Sequence, residues 1–406
     1  ILELILSYAT KKKSLDYETS LIKLSHVNRK FRRVVYQGHL WSVADLCSIC
    51  IRGRKKQAEE VPISIVEKVG VEKVAAREQV PLKLARAMVH GYRRVPISDT
   101  GKNQGDVYSV CASPTGEMVA VGRGKVLQLW DAQNGSLLMQ LRWHGVIVRA
   151  LTFSDDGMRL LSGSFDKIGV WDVDSGFEKV RLRYGDKHFV LSVSFSGDGN
   201  LCASVGGDKS VRVWDVGSDR DVGRDWDLKV LNGHTEEIRC VVLSRDGKTV
   251  VSGSDDMTVR IWDTATGVTR QVLSGASGTR KRITGVDMSG DGKRIASAGT
   301  GGVMHIWDAI SGQEINRING YFSSPNNIQM SLDGRFVSGM GGPSSSWSVC
   351  IWEAESGRVC AEVQVEGITP WDHMDAELHH SHVSFSGNVI AAVNRSGQLQ
   401  IWRAVM

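Results

Sequence analysis

The sequence predicts a mainly β fold in which one small antiparallel sheet is repeated seven times. A tryptophan recurs at intervals of 41 to 50 residues, a period typical of repeat architectures. One interval, GHTEEIRCVVLSRDGKTVVSGSDDMTVRIWD at 233–263, holds three short apolar runs between turn residues, which predicts antiparallel strands. One such sheet cannot bury both faces, so the repeats are expected to stack. The recurring tryptophans are Trp130, Trp171, Trp214, Trp262, Trp307, Trp352 and Trp402.

The repeat resembles the WD-repeat β-propeller family. The resemblance is carried by Gly233 and His234, by S-x-D-G turns at 154–157, 244–247 and 331–334, and by closing Trp-Asp pairs. The aspartates of those pairs are Asp131, Asp172, Asp215, Asp263 and Asp308. The resemblance covers about three-quarters of the chain. It implies a seven-bladed β-propeller of four-stranded antiparallel blades.

The N-terminal segment 1–46 is predicted to be a small α-helical domain. Apolar residues recur at helical spacing in ILELILSYA and again in SLIKLSHVNRKFRRVVYQ. The pattern I-L-S-Y, then L-x-x-L-S-x-V-N-R-x-F-R, then L-W resembles the F-box. The family's opening Leu-Pro is absent, and the first residue is Ile1, so we expect the sequence to begin inside a longer chain. An alternative is a helical cap that packs on its own propeller.

The F-box resemblance implies a partner and a set of contacts. F-boxes bind the Skp adaptor and, through it, join cullin–RING ubiquitin ligases. By position, the residues implied in that contact are Ile5, Leu6, Leu21, Leu24, Val27, Phe31 and Trp41.

A helical linker is predicted at 47–91, followed by the propeller at 92–406. Within the propeller, 92–98 is expected to be the closing outer strand, because only four residues follow Trp402. The last blade would otherwise keep an unpaired edge, which favours aggregation.

Composition restricts the compartment and the partners. No apolar run reaches the roughly 18 residues that a membrane span needs. Seven cysteines in 406 residues do not indicate a disulfide framework, so a cytoplasmic or nuclear location is expected. Residues 1–100 carry a net charge of +9 and the remainder −4. The basic run at 52–56 could contact nucleic acid, but a solvated linker face is the favoured interpretation.

Catalytic, metal and cofactor sites are not expected. The fourth repeat contains His234, Ser252, Asp256 and Trp262, which the resemblance places in a buried hydrogen-bonded line within one blade. In the third repeat, Asp186 occupies the histidine position. Cys47-x-x-Cys50 has no second pair at zinc spacing. The chain is therefore interpreted as non-catalytic.

Recognition of a protein is the remaining role. Aligning the repeats places five arginines on the propeller face formed by the loops between second and third strands and between blades. Arginine suits carboxylate and phosphate groups, so an acidic or phosphorylated substrate is expected there. The expected function is the substrate-recognition subunit of an SCF-type ubiquitin ligase; the alternative is a WD-repeat scaffold for complex assembly. The substrate-binding residues are predicted to be Arg123, Arg149, Arg239, Arg282, Arg395, Tyr108, Phe165 and Phe189.

Overall fold

The structure is a computed structural model in which one compact unit, 92–405, contains all the residues described. The Skp-contact residues predicted between Ile5 and Trp41, and the linker at 47–91, lie outside the described residues. Among the described residues, no helix is long and apolar enough to cross a bilayer. The described ranges are 92–97, 107–142, 145–165, 167–184, 188–217, 227–274, 282–300, 302–319, 328–340, 348–364, 383–385, 389–393 and 399–404.

The described residues form 28 strands, numbered in chain order. The first three blades and the strand before them are β1 Tyr92–Val95; β2 Val107–Ala112, β3 Met118–Arg123, β4 Val126–Asp131, β5 Leu137–Arg142; β6 Ala150–Phe153, β7 Arg159–Gly163, β8 Lys167–Asp172, β9 Glu178–Arg183; β10 Val190–Phe195, β11 Leu201–Gly206, β12 Ser210–Asp215, β13 Asp227–Asn232. The remaining blades are β14 Ile238–Leu243, β15 Thr249–Ser254, β16 Thr258–Asp263, β17 Thr269–Ser274; β18 Ile283–Met288, β19 Arg294–Gly299, β20 Val303–Asp308, β21 Glu314–Asn319; β22 Gln329–Met330, β23 Phe336–Met340, β24 Ser348–Glu353, β25 Val359–Gln364; β26 Val383–Phe385, β27 Val389–Val393, β28 Leu399–Ala404.

These strands form seven four-stranded antiparallel sheets, which confirms the predicted seven-bladed propeller. Blades one to six each use four consecutive strands, from β2–β5 to β22–β25. The seventh sheet has the order β1-β28-β27-β26. Its outer strand therefore comes from before the first repeat, at the position that the sequence analysis assigned to the closing strand. In that pairing Tyr92 lies opposite Ala404, and Val95 lies opposite Ile401.

Burial along each blade follows from its position between two neighbours. Second strands such as β15 are buried at nearly every position, because a blade covers each of their faces. Outer strands such as β17 alternate between partly buried and exposed residues. The tryptophan of the third strand fills the gap between blades: Trp262 of blade four packs with Val205 and Val213 of blade three.

Two kinds of turn define the lower face of the propeller, where first strands meet second strands and third strands meet fourth strands. In the first kind, the Ser244 hydroxyl donates to Asp246 at 2.6 Å, and Asp246 accepts the amide of Lys248 at 3.0 Å. Gly247 follows with φ of 68°, a value that favours glycine. The upper face consists of the remaining loops: those between second and third strands, and those between blades.

Candidate protein-binding face

The polar line in blade four is continuous. The His234 ring lies with Nδ1 2.7 Å from Asp256 Oδ2 and Nε2 2.8 Å from the Ser252 hydroxyl. Trp262 Nε1 donates to the same hydroxyl at 2.8 Å. Every group is paired if His234 donates through Nδ1 and Ser252 donates to Nε2. The four side chains thus join the upper loop to the middle of the blade.

This line contains serine, histidine and aspartate, the residue types of a hydrolase triad, but its burial assigns it a structural role. The side chain of His234 is fully buried, and so is Ser252, so a substrate has no route to the hydroxyl. Burial alone would raise the pKa of Asp256. The hydrogen bonds from His234 and Thr258 outweigh burial and hold the pKa of Asp256 well below its usual range. Asp256 is therefore an ionised anchor for the loop.

Three other blades keep the tryptophan-to-serine bond but not the rest of the line. The indole nitrogens of Trp171, Trp214 and Trp307 donate to serine hydroxyls at 2.7–2.8 Å. In blade one, Val121 occupies the serine position. Trp130 Nε1 is consequently buried without a hydrogen-bond partner among the described residues.

In blade three, Asp208 has a partner that the sequence analysis did not name. The hydroxyl of Tyr184 donates to Asp208 at 2.6 Å, and Asp186, expected at the histidine position, lies outside the described residues. Tyr184 is buried, and burial together with Asp208 raises its pKa, so the phenol stays protonated.

On the upper face, Arg149 of blade two lies against an aromatic pair. Its guanidinium carbon is 4.6 Å from the centre of the Phe189 ring, a cation–π distance. Phe189 in turn meets Phe165 edge to face, with ring centres 4.9 Å apart. Tyr108 of blade one is near enough to interact electrostatically with Arg149. Four of the predicted binding residues, Tyr108, Arg149, Phe165 and Phe189, therefore come together across blades one to three.

Arg149 is a predicted binding arginine that is half-buried and has no ion pair among the described residues. Within the described part of the chain its side chain has no ion pair or hydrogen bond, and its buried Nε has no partner. Burial lowers the pKa of Arg149, and the nearby Arg239 lowers it further. A half-buried cation without a counter-ion is unfavourable, so an incoming anion would relieve that cost.

Arg239 and Arg282 are placed differently. Arg239 donates to both oxygens of Asp255, at 3.0 and 2.6 Å, and lies 3.0 Å from Glu237. The hydrogen bond that Arg239 donates to Asp255 raises the pKa of Arg239. Arg282 is 3.8 Å from Asp255, with 61% of its side chain exposed. We refer to Glu237, Arg239, Asp255 and Arg282 as the charge cluster.

Two predicted arginines do not contribute to the described face. Arg123 is 7% exposed, because it ends a middle strand that is covered by a blade on each side. Its guanidinium is therefore not presented to solvent as expected. Arg395 lies outside the described residues. Among the described residues, no group of three or more His, Cys, Asp or Glu side chains is arranged to hold a metal ion.

Comparison with known proteins agrees with the repeat structure. The family described as WD40, "WD domain, G-beta repeat", matches residues 96–131, 135–169, 178–215, 226–263 and 267–308. WD repeat and SOCS box-containing protein 1 is 39% identical in Takifugu rubripes and 37% in Homo sapiens, each over 22% of this chain and 22% of the relative. Nuclear distribution protein PAC1 of Arthroderma benhamiae is 34% identical over 28% of this chain and 26% of the relative.

The chain thus spans between a fifth and a third of the length of these relatives. The matched repeats end at the third strands of blades one to five, or within that strand in blade two. Blades six and seven lie outside the matches but have the same strand order. The chain is therefore a seven-bladed β-propeller that contains WD40 repeats.

Proposed function

We propose that this chain is the substrate-recognition subunit of an SCF-type ubiquitin ligase. The propeller binds a protein substrate on its upper face, and the segment 1–46 binds the Skp adaptor. The observation that carries the proposal is the unpaired, half-buried Arg149 beside Phe165 and Phe189. A rigid scaffold that presents one cation and two aromatic rings suits a peptide with an anionic group and an apolar side chain.

The proposed mechanism requires no chemistry from this chain. The Ser–His–Asp line of blade four is buried and fully used in holding the upper loop. A receptor accelerates ubiquitin transfer by keeping the substrate close to the charged enzyme, which raises the effective concentration. Whether the anionic group is a carboxylate or a phosphate, Arg149 offers it a planar set of donors.

Two observations support the ligase context. The segment 1–46 resembles the F-box, with Leu24, Val27 and Phe31 at helical spacing, although the opening Leu-Pro of that family is absent. One of the relatives is named for WD repeats together with a SOCS box, so WD repeats occur beside a separate named box in that protein. The second candidate function is a WD-repeat scaffold that does not bind the Skp adaptor.

The test is co-purification of the Skp adaptor and cullin with the full-length protein. Truncating a buried phenylalanine to alanine costs about 3–5 kcal/mol, so Phe31→Ala is expected to remove most of the adaptor. Phe177→Ala is the matched control, since Phe177 is a propeller residue with 75% of its surface exposed. Undiminished adaptor with Phe31→Ala would favour the scaffold instead.

A further inference from the structure

Two adjacent aspartates in blade four have opposite roles. Asp255 and Asp256 both follow β15 in the upper loop. Asp256 points into the blade and holds His234. Asp255 instead holds Arg239 with a two-point ion pair of 3.0 and 2.6 Å. Such paired contacts between arginine and carboxylate are among the stronger side-chain hydrogen bonds.

The charge cluster is balanced within itself. Its two arginines face two carboxylates: Asp255 contacts both Arg239 and Arg282, and Glu237 contacts Arg239. Asp255 is the more enclosed carboxylate, with 13% of its side chain exposed against 44% for Glu237. A second anion arriving at blade four would therefore meet two carboxylates, an Arg239 whose donors are engaged, and an exposed Arg282 whose charge Asp255 offsets from 3.8 Å.

Arg149 presents the contrasting case on the same face. It has no carboxylate partner among the described residues, and one face of its guanidinium lies against Phe189. Both Arg239 and Glu237 interact with it electrostatically, so the charge cluster is its close neighbour. The described upper face thus places Arg149, a half-buried cation without an ion pair, beside a charge cluster whose carboxylates offset both of its arginines.

We propose that Asp255 is a specificity-determining residue that limits the upper face to ligands with one anionic group. The ligand is a peptide segment that places a carboxylate or phosphate on Arg149 and an apolar side chain beside Phe165 and Phe189. Asp255 keeps Arg239 engaged and repels a second anion, so a doubly anionic segment gains nothing from blade four. This inference rests on the proposed function, because it assigns the substrate class of the same face.

The test uses the full-length protein and synthetic peptides labelled for fluorescence anisotropy. One peptide carries a single phosphoserine next to phenylalanine, and the others carry a second phosphoserine at increasing separations. For the wild-type chain we expect the affinities for single and double peptides to agree within about a factor of two. Asp255→Asn should raise the affinity for at least one double peptide by about tenfold, or about 1.4 kcal/mol.

Glu355→Gln is the matched control, because it also removes one negative charge. Glu355 lies on the lower face with 78% of its side chain exposed, so this variant should bind all peptides as the wild-type chain does. Arg149→Ala should weaken every peptide, and circular dichroism would verify that each variant is folded.

Different results would contradict the role of Asp255 and the proposed binding face. A wild-type preference of tenfold or more for a double peptide, or no gain with Asp255→Asn, would overturn the role of Asp255 while leaving the binding face in place. If no peptide binds, or Arg149→Ala changes no affinity, both the inference and the proposed substrate face are wrong. The adaptor contact would then still be judged by co-purification alone.

Discussion

At the scale of single residues, hydrogen-bond pairing decides which polar side chains are structural. Ser252 accepts from Trp262 and contacts His234, and Asp256 receives bonds from His234, Thr235 and Thr258. The side chains of His234, Ser252 and Asp256 are buried or nearly so, and leaving any of them unpaired would incur its desolvation penalty. The line therefore stabilises the blade only while each of its buried polar groups keeps a hydrogen-bond partner.

Removing the Asp256 carboxylate should destabilise the propeller. Asp256→Ala leaves the His234 Nδ1 donor and a threonine hydroxyl without their acceptor, at about 1–3 kcal/mol for each buried unpaired group. Urea denaturation should show that loss, with a smaller one for Asp246→Ala, because Asp246 lies 58% exposed in a lower turn. Normal stability together with lost substrate binding would instead assign Asp256 to the ligand.

The sequence alone identifies the residues of this line but not their partners elsewhere. His234, Ser252, Asp256 and Trp262 recur with the repeat, so their spacing predicts them. Tyr184 does not recur, and only the path of the chain brings its hydroxyl to Asp208. The exposure of a side chain also depends on neighbouring blades, which local sequence does not reveal. Arg123, predicted to lie on the face, is buried by those blades, and Arg239 is held by Asp255.

At the scale of elements, the closing strand explains how the ring is completed. β1 pairs with β28 along its whole length, and Val95 is buried in the core shared by blades one and seven. The sequence analysis expected the closing strand at 92–98, and β1 occupies Tyr92–Val95 in that sheet. The sheet order was thus predictable, whereas the short β22 of blade six, with two residues, was not.

A chain that begins at Gly101 should be markedly less stable than one that begins at Pro81. Only the shorter chain lacks β1, which leaves β28 with unpaired backbone groups and exposes the apolar core around Val95. We expect a lower melting temperature and aggregation at a concentration that the longer chain tolerates. Equal melting temperatures and solubilities would mean that another segment closes the ring.

At the scale of the whole molecule, side chains on the inner strands join one blade to the next. The hydroxyls of Ser192 and Ser194 in blade three accept backbone amides of Val241 and Leu243 in blade four, at 3.2 and 3.0 Å. Between blades five and six the acceptor is a carboxylate: Asp287 Oδ2 accepts the Met330 amide at 2.6 Å. The acceptor between blades five and six is thus a titratable carboxyl, whereas the acceptors between blades three and four are neutral serine hydroxyls.

Enclosure by protein controls the ionisation of Asp287. Burial raises its pKa to about 7, although the amides of Met330 and Met288 act in the opposite direction. Charged groups on the packed strands have other partners: Arg294 of β19 donates to Gly334 O, and Arg239 of β14 holds Asp255. The described residues of β15 and β22 carry no charge. Asp287 therefore lacks a cation that would favour its ionised form.

The stability of the propeller should consequently fall as the pH rises through the range in which Asp287 titrates. The unfolded carboxyl has a pKa near 4, so the folded state binds the proton more tightly. The contribution is fully present below about pH 4 and is lost as the pH rises to about 7. A shift of one pKa unit corresponds to about 1.4 kcal/mol in the free energy of unfolding. Because Asp287 keeps some accessible surface, we expect the loss of unfolding free energy to be smaller than the full pKa shift would give.

Asp287→Asn provides the comparison, because asparagine stays neutral throughout. Urea denaturation between about pH 5 and pH 8 should show the stability of the wild-type chain falling relative to that of the variant as the pH increases. Asp246→Asn is the control, since Asp246 has a lowered pKa and titrates below this window. A difference between wild-type and Asp287→Asn chains that stays constant with pH would show that Asp287 is ionised across the whole range. The bond to Met330 would then act as a fixed ionic contact between blades five and six.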